Sequence, residues 1–284
     1  MTLESLATIH PARPDRFADG SVHEVMRRLR NEAPIHQTKD SEFGSYWSLT
    51  KYKDIVEVEA LPLLYSSEME RGGISLIDSE FAGAEQAEQN RMEMFIAMDP
   101  PRHTEKRRVV APAFTPSEMT RLAGSIRERT AARLDSLPKG EVFDWVSLVS
   151  VDLTTDMLAI LFDFPWDERH KLPIWSDAIT SLDMIKNRQQ ERQVMMFEMA
   201  MKFFALWQER TAAEPAPDLL SMMIHSNAMS KMDQVEFIGN MALLIVGGND
   251  TTRNSMTAFA YAMDKFPEER AKLIAWVAAG APLD

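Results

Sequence analysis

The sequence predicts a mainly α-helical fold with a small β region, and three observations predict it. Apolar residues recur at three- and four-residue spacing through most segments, and capping residues and prolines bracket those segments. Only one short stretch, residues 35–49, alternates in the β period around a polar turn. Residues 231–265 carry a helical pattern unbroken by proline, which at 1.5 Å per residue crosses ~50 Å, the width of an entire domain.

The elements follow in order. Ser21-Val-His-Glu24 reads as a capping box, with Val22, Val25, Met26 and Leu29 on one face of the helix it opens and Pro34 ending it. Residues 35–38 and 46–49 form a hairpin around a turn at 39–44. Residues 51–61 make a helix that Pro62 stops. From 62 to 98 the pattern fails at Gly72-Gly73, at Gly83 and in a Glu/Gln run, so this long connection is read as a variable substrate-access loop, a candidate lid. Asp99-Pro-Pro starts the next helix as an N-cap with first-turn prolines, and Thr115-Pro-Ser-Glu118 is a second capping box. Helices over 144–162, 166–184 and 188–211 follow, then a short one after Asp218 and the long one over 231–265. No repeat or Pro/Gly/Ser linker divides the chain, which predicts one domain over 1–284.

Composition removes several classes of function. With 284 residues, 45% apolar and 26% charged, the chain has the balance of a globular protein with a large core. Its 43 acidic and 31 basic residues give a net charge of −12, which argues against nucleic acid and anionic membrane as partners. It has no cysteine, so it cannot supply a disulfide, a cysteine zinc site, an iron–sulfur cluster or a thiolate to haem. The start carries a carboxylate at Glu4 where a signal peptide needs basic and then apolar residues, and the longest uncharged run, 237–249, falls short of the ~20 residues of a membrane span. The expectation is a cytoplasmic protein.

Two constellations carry chemistry. Gly247-Gly-Asn-Asp-Thr-Thr252 is the poorest helix-forming hexapeptide of the long helix, each glycine costing ~1 kcal/mol against alanine. Two glycines let a flat ligand approach the backbone, and Asp250 and Thr251 set an acid and a hydroxyl beside the opening, a pair suited to proton relay. The same residues also read as punctuation between two helices, or as a phosphate loop after a strand at 242–246, which would make the protein a nucleotide binder. In Asp99-Pro-Pro-Arg-His-Thr-Glu-Lys-Arg107, His103 and Arg107 are one helical turn apart and able to donate together to one anionic group, whereas a non-catalytic helical interaction protein would carry them as surface charges.

The two motifs together, in this order, resemble those of the cytochrome P450 family. Asp99-Pro-Pro-Arg-His-Thr with Ala113-Phe-Thr-Pro116 is similar to the C helix of bacterial members, and Gly247-Gly-Asn-Asp-Thr-Thr252 to their I helix. The wording Gly-Gly-Asn-Asp-Thr-Thr-Arg-Asn-Ser-Met256, with Phe95-Ile-Ala-Met-Asp-Pro-Pro101, looks like the soluble alkane and fatty-acid hydroxylases. The resemblance implies haem b as cofactor, with His103 and Arg107 holding a propionate and Gly247 and Gly248 letting the I helix pass over the haem. It gives Asp250 and Thr251 the delivery of protons for dioxygen cleavage. Ile77, Phe95, Leu182, Leu243 and Val246 would line the pocket of an apolar substrate. O2 would be the oxidant, with electrons from a ferredoxin and its reductase, and Arg102, Lys106 and Arg108 would meet the acidic donor.

The departure is as informative. The family's E-x-x-R helix, meander and cysteine loop, which follow the I helix, are not in these 284 residues, and no histidine sits in a pattern that would replace the cysteine. The expectation is therefore an incomplete P450 fold lacking its carboxy-terminal haem-thiolate part, a monooxygenase by ancestry and inactive as this chain alone.

Overall fold

The computed structural model describes residues 4–76 and 92–280. Ile77, expected to line the substrate pocket, and most of the variable loop lie outside the described residues. The chain divides into two compact units, residues 1–105 and 106–284, with the boundary inside one helix.

In the first unit, helices α1 (Pro14–Ala18) and α2 (Val22–Glu32) precede a two-stranded antiparallel sheet, β1 (Ile35–Ser41) and β2 (Gly44–Leu49), and helix α3 (Tyr52–Glu59) follows. The strands pair Ile35 with Leu49 and Thr38 with Tyr46, and the register shifts between Thr38 and Ser41. Val25 and Leu29, one turn apart, pack with Ile9 into a small core. The buried imidazole of His36 lies 3.0 Å from the carbonyl of Ile9, tying the strand to the amino-terminal segment. Ser21 makes no side-chain cap; the Asp19 carboxylate instead accepts from the Ser21 amide at 2.8 Å, so the expected capping box is not formed.

Helix α4 (Arg102–Val110) starts three residues after Asp99, and Asp99 does not cap it. Its carboxylate is turned back to accept from the amide of Ser67 at 2.9 Å and from the Ser66 hydroxyl, so it fastens the preceding loop. That loop turns at Gly72 and Gly73, whose φ of 116° and 66° suit glycine.

In the second unit, Thr115 does cap α5 (Pro116–Asp135), accepting from the Glu118 amide. A wide-turned segment over Val146–Val151 runs into α6 (Asp152–Phe162). The helix expected over 166–184 is instead three pieces, a short turn at Trp166–Glu168, α7 (Lys171–Thr180) and α8 (Leu182–Lys186). The break falls at Ser181, which is extended and whose hydroxyl accepts from the Met184 amide to start α8. Helices α9 (Gln189–Thr211), α10 (Leu219–Ile224), α11 (Gln234–Lys265) and α12 (Pro267–Ala278) complete the unit.

Its core is aromatic at one end, where Phe162, Phe164, Trp175 and Phe203 meet with ring centroids 5.4 to 6.1 Å apart. Helix α11, capped by Asp233, buries Phe237, Met241, Ile245 and Asn249 in one row at four-residue spacing, against α6, α7 and the wide-turned segment. No described helix is long and apolar enough to cross a membrane.

Candidate functional site

Helix α11 is continuous through the glycine-rich hexapeptide, so residues 242–246 are not a strand and 247–252 are neither a phosphate loop nor a helix end. The nucleotide-binding alternative has no structural basis here. Within the hexapeptide the side chains of Asn249, Asp250 and Thr251 are specifically bonded, and those of Asn249 and Asp250 tie it to neighbouring helices. The Thr251 hydroxyl donates to the Gly247 carbonyl at 2.7 Å, within its own helix. Asn249 is fully buried, and its side-chain oxygen accepts from the Thr154 hydroxyl of α6 at 3.0 Å while its amide nitrogen donates to Asp250 Oδ1 at 3.1 Å.

The two glycines differ. A Cβ on Gly248 would lie 2.6 Å from Leu158 Cδ2, so Gly248 is where α11 packs closely on α6. A Cβ on Gly247 would meet no described atom within 4 Å. The open approach expected at both glycines is found at Gly247 alone, and Gly248 has a packing reason instead. Gly247 and Thr251, four residues apart, share the exposed side of the helix, and Leu243 and Val246 are half-buried just before them.

Asp250 points elsewhere. Its Oδ1 accepts from Ser176 Oγ at 3.0 Å, from Arg253 at 2.8 Å and from Asn249, and Arg253 also reaches Asp177 at 3.1 Å. The acid is thus clamped by three donors and stands apart from the Thr251 hydroxyl, which is bonded into its own helix. A polar cluster of Asn249, Thr154, Ser176, Arg253 and Asp177 was missed by sequence reasoning. Its one legible trace was an asparagine on the apolar row of α11.

Helix α4 carries the other motif. His103 touches the ring of Phe95 at 6.4 Å between centroids, and Phe95 is buried, so this residue supports the histidine. No carboxylate among the described residues pairs with Arg107, which is exposed one turn beyond His103. Of the basic residues expected to meet an acidic donor, Lys106 is occupied: it pairs with Glu236 and donates to the Ala228 carbonyl at 3.3 Å. Arg102 lies 3.7 Å from Glu93, and Arg108 remains exposed. Leu182 opens α8, as its backbone shows.

The donors of α4 and the open glycine of α11, each taken by itself, are compatible with parts of a carboxylate-bearing planar cofactor. Arg107 and His103 have no anionic partner among the described residues, and the Cβ space at Gly247 admits a flat group against the backbone. No group of histidines, cysteines and carboxylates that could hold a bare metal ion occurs among the described residues.

These features define the class: a mainly helical protein whose longest described helix, α11, carries an open glycine in its middle. No family model matches the sequence. The chain is 31% identical over 261 residues to linalool 8-monooxygenase of Pseudomonas putida, a match covering 90% of this chain and 64% of the relative. Among solved structures it is similar to CYP153D17 from Sphingomonas sp. PAMC 26605, at 54% identity and a TM-score of 0.83, and to cytochrome P450-153 from Novosphingobium aromaticivorans, at 46% and 0.84. Each of these matches covers 93% of this chain and 65% of the solved one. The chain belongs to the cytochrome P450 family and spans about two thirds of the length of these relatives.

Proposed function

We propose that the protein is the part of a haem-dependent monooxygenase that holds the cofactor's propionate and covers its substrate-facing side, acting on an apolar aliphatic molecule. The observation that carries this reading is the contrast within α11: Gly248 is filled by Leu158, whereas Gly247 is open and exposed beside Thr251. Packing explains one glycine and leaves the other to a ligand.

Haem, when bound with a proximal thiolate, supplies activation of dioxygen for insertion of one oxygen atom into a C–H bond. This chain has no cysteine, so that thiolate is not among its residues. Arg107 and His103 would hold the propionate by charge-assisted hydrogen bonds. Thr251 Oγ, which donates to the Gly247 carbonyl at 2.7 Å, is the hydroxyl that would hold a proton on the open side of α11. Asp250, whose Oδ1 accepts from Ser176 and Arg253, is assigned a part in proton supply by resemblance alone. Phe95, Leu243, Val246, Leu182 and Ile77 are assigned to the substrate's apolar wall by resemblance alone. Linalool and a steroid are the apolar molecules for which relatives are named, which supports the same class here. Electrons are assigned to a ferredoxin and its reductase, and Arg108 is an exposed cation of α4 that would meet them.

Titration of the purified chain with haem, followed by absorbance in the Soret region, tests the reading. Saturation at one haem per chain is expected, with Arg107→Ala weakening it at least ten-fold. Uptake that is unsaturable, or indifferent to Arg107, rejects it.

A further inference from the structure

A concave site lies away from Gly247. Helix α9 and the beginning of α11 enclose a cleft of about 560 Å³, within the size range of small-molecule sites. Its walls include Ala200, Phe204 and Trp207 from α9, Phe237 from α11 and Met232 from the segment just before α11. Phe237 forms the floor, buried and edge-on to Trp207 at 5.1 Å and to Phe204 at 6.4 Å between centroids. From Phe237 to Gly247 the helix rises roughly 15 Å, so the cleft is separate from the open glycine.

The chemistry of the lining selects its occupant. Aromatic and methionine side chains offer an adaptable apolar wall. The single ionised side chain among the residues that line it is Asp233, at the mouth. One of its oxygens accepts from the Glu236 amide at 2.9 Å, and the other has no partner among the described residues. An unpaired carboxylate oxygen accepts from a hydroxyl and repels a carboxylate. We propose that this cleft binds a neutral aliphatic molecule ending in a hydroxyl, such as a medium-chain primary alcohol, and rejects the corresponding fatty acid.

Calorimetric titration of the chain, with no haem added, tests this with 1-hexanol, 1-octanol, 1-decanol and decanoate. Alcohol affinity is expected to rise about four-fold per methylene until the cleft is full. Decanoate at pH 7 is expected to bind at least ten-fold more weakly than 1-decanol, and Asp233→Asn, which keeps a capping side chain, to close that gap. Ala200→Trp fills the cleft and is expected to abolish binding; Met201→Trp, at a half-exposed position on the same wall, serves as a second blocking variant. Binding that survives both blocking variants overturns the proposal, as does decanoate binding as well as decanol. So does self-association through this face, seen as a concentration-dependent sedimentation coefficient that Met201→Trp abolishes while no alcohol binds. Because no haem is involved, failure here is distinct from failure of the monooxygenase reading.

Discussion

Replacing Gly247 and Gly248 separately by alanine converts the asymmetry of α11 into opposite signs of stability. Alanine removes about 1 kcal/mol of helix-propensity cost at either position. At Gly247 the new methyl meets no described atom within 4 Å, so the full gain of about 1 kcal/mol is expected. At Gly248 the methyl arrives 2.6 Å from Leu158 Cδ2, and Leu158 is itself 2% exposed, so its displacement is resisted by the surrounding core. Overpacking of this kind costs about 1–3 kcal/mol, which outweighs the propensity gain and leaves a net loss of about 1 kcal/mol. The two variants should therefore differ by roughly 2 kcal/mol in urea unfolding followed by circular dichroism, at unchanged slope. In a Leu158→Ala background the loss at Gly248 should turn into a gain, a coupling of about 2 kcal/mol between residues in contact. Haem affinity should move the other way for Gly247→Ala, falling although the chain is more stable. Equal responses at the two glycines, or no coupling to Leu158, would refute the argument.

Other outcomes follow from single contacts. Thr154→Val removes the donor to the buried Asn249 side chain and should destabilise the chain by about 1–3 kcal/mol, whereas Thr154→Ser should restore most of that in the same unfolding assay. Thr115→Ala should cost about 1 kcal/mol in thermal unfolding while Ser21→Ala leaves the midpoint nearly unchanged, because only Thr115 caps its helix. Asp99 is held below the usual carboxylate range by the Ser66 hydroxyl and then the Ser67 amide, so its folded value lies under its unfolded one. Its contribution is complete above about pH 4 and is lost as the pH falls through the folded value. Exchange of the Ser67 amide should accordingly lose protection there, and Asp99→Asn should show no such pH step.

Much of the helical framework was legible because periodicity and punctuation agree. Asp218, expected to start a short helix, caps it, and the pattern over 231–265 is a helix over Gln234–Lys265 that buries Met241 and Ile245. Capping signals were less secure where a competing partner lay nearby in space. Asp99 spends its carboxylate on Ser66 and Ser67, and the Ser21 side chain leaves its helix uncapped while Asp19 takes the Ser21 amide. The break at Ser181 was invisible because serine fits both a helix and an N-cap. At the candidate site, the hexapeptide was conspicuous for its poor propensity, yet propensity could not tell which glycine is packed and which is open. That distinction is set by Leu158, far away in sequence. The clamp on Asp250 likewise depends on Ser176, a residue with no local signature.

Hydrogen exchange of the chain with and without saturating haem, read by mass spectrometry, addresses the central claim directly. Slowed exchange is expected in peptides spanning 102–110 and 243–255, with the α9 segment that lines the alcohol cleft unchanged. Protection confined to α9 and the start of α11, with the peptides bearing Arg107 and Gly247 unaffected, would contradict the account.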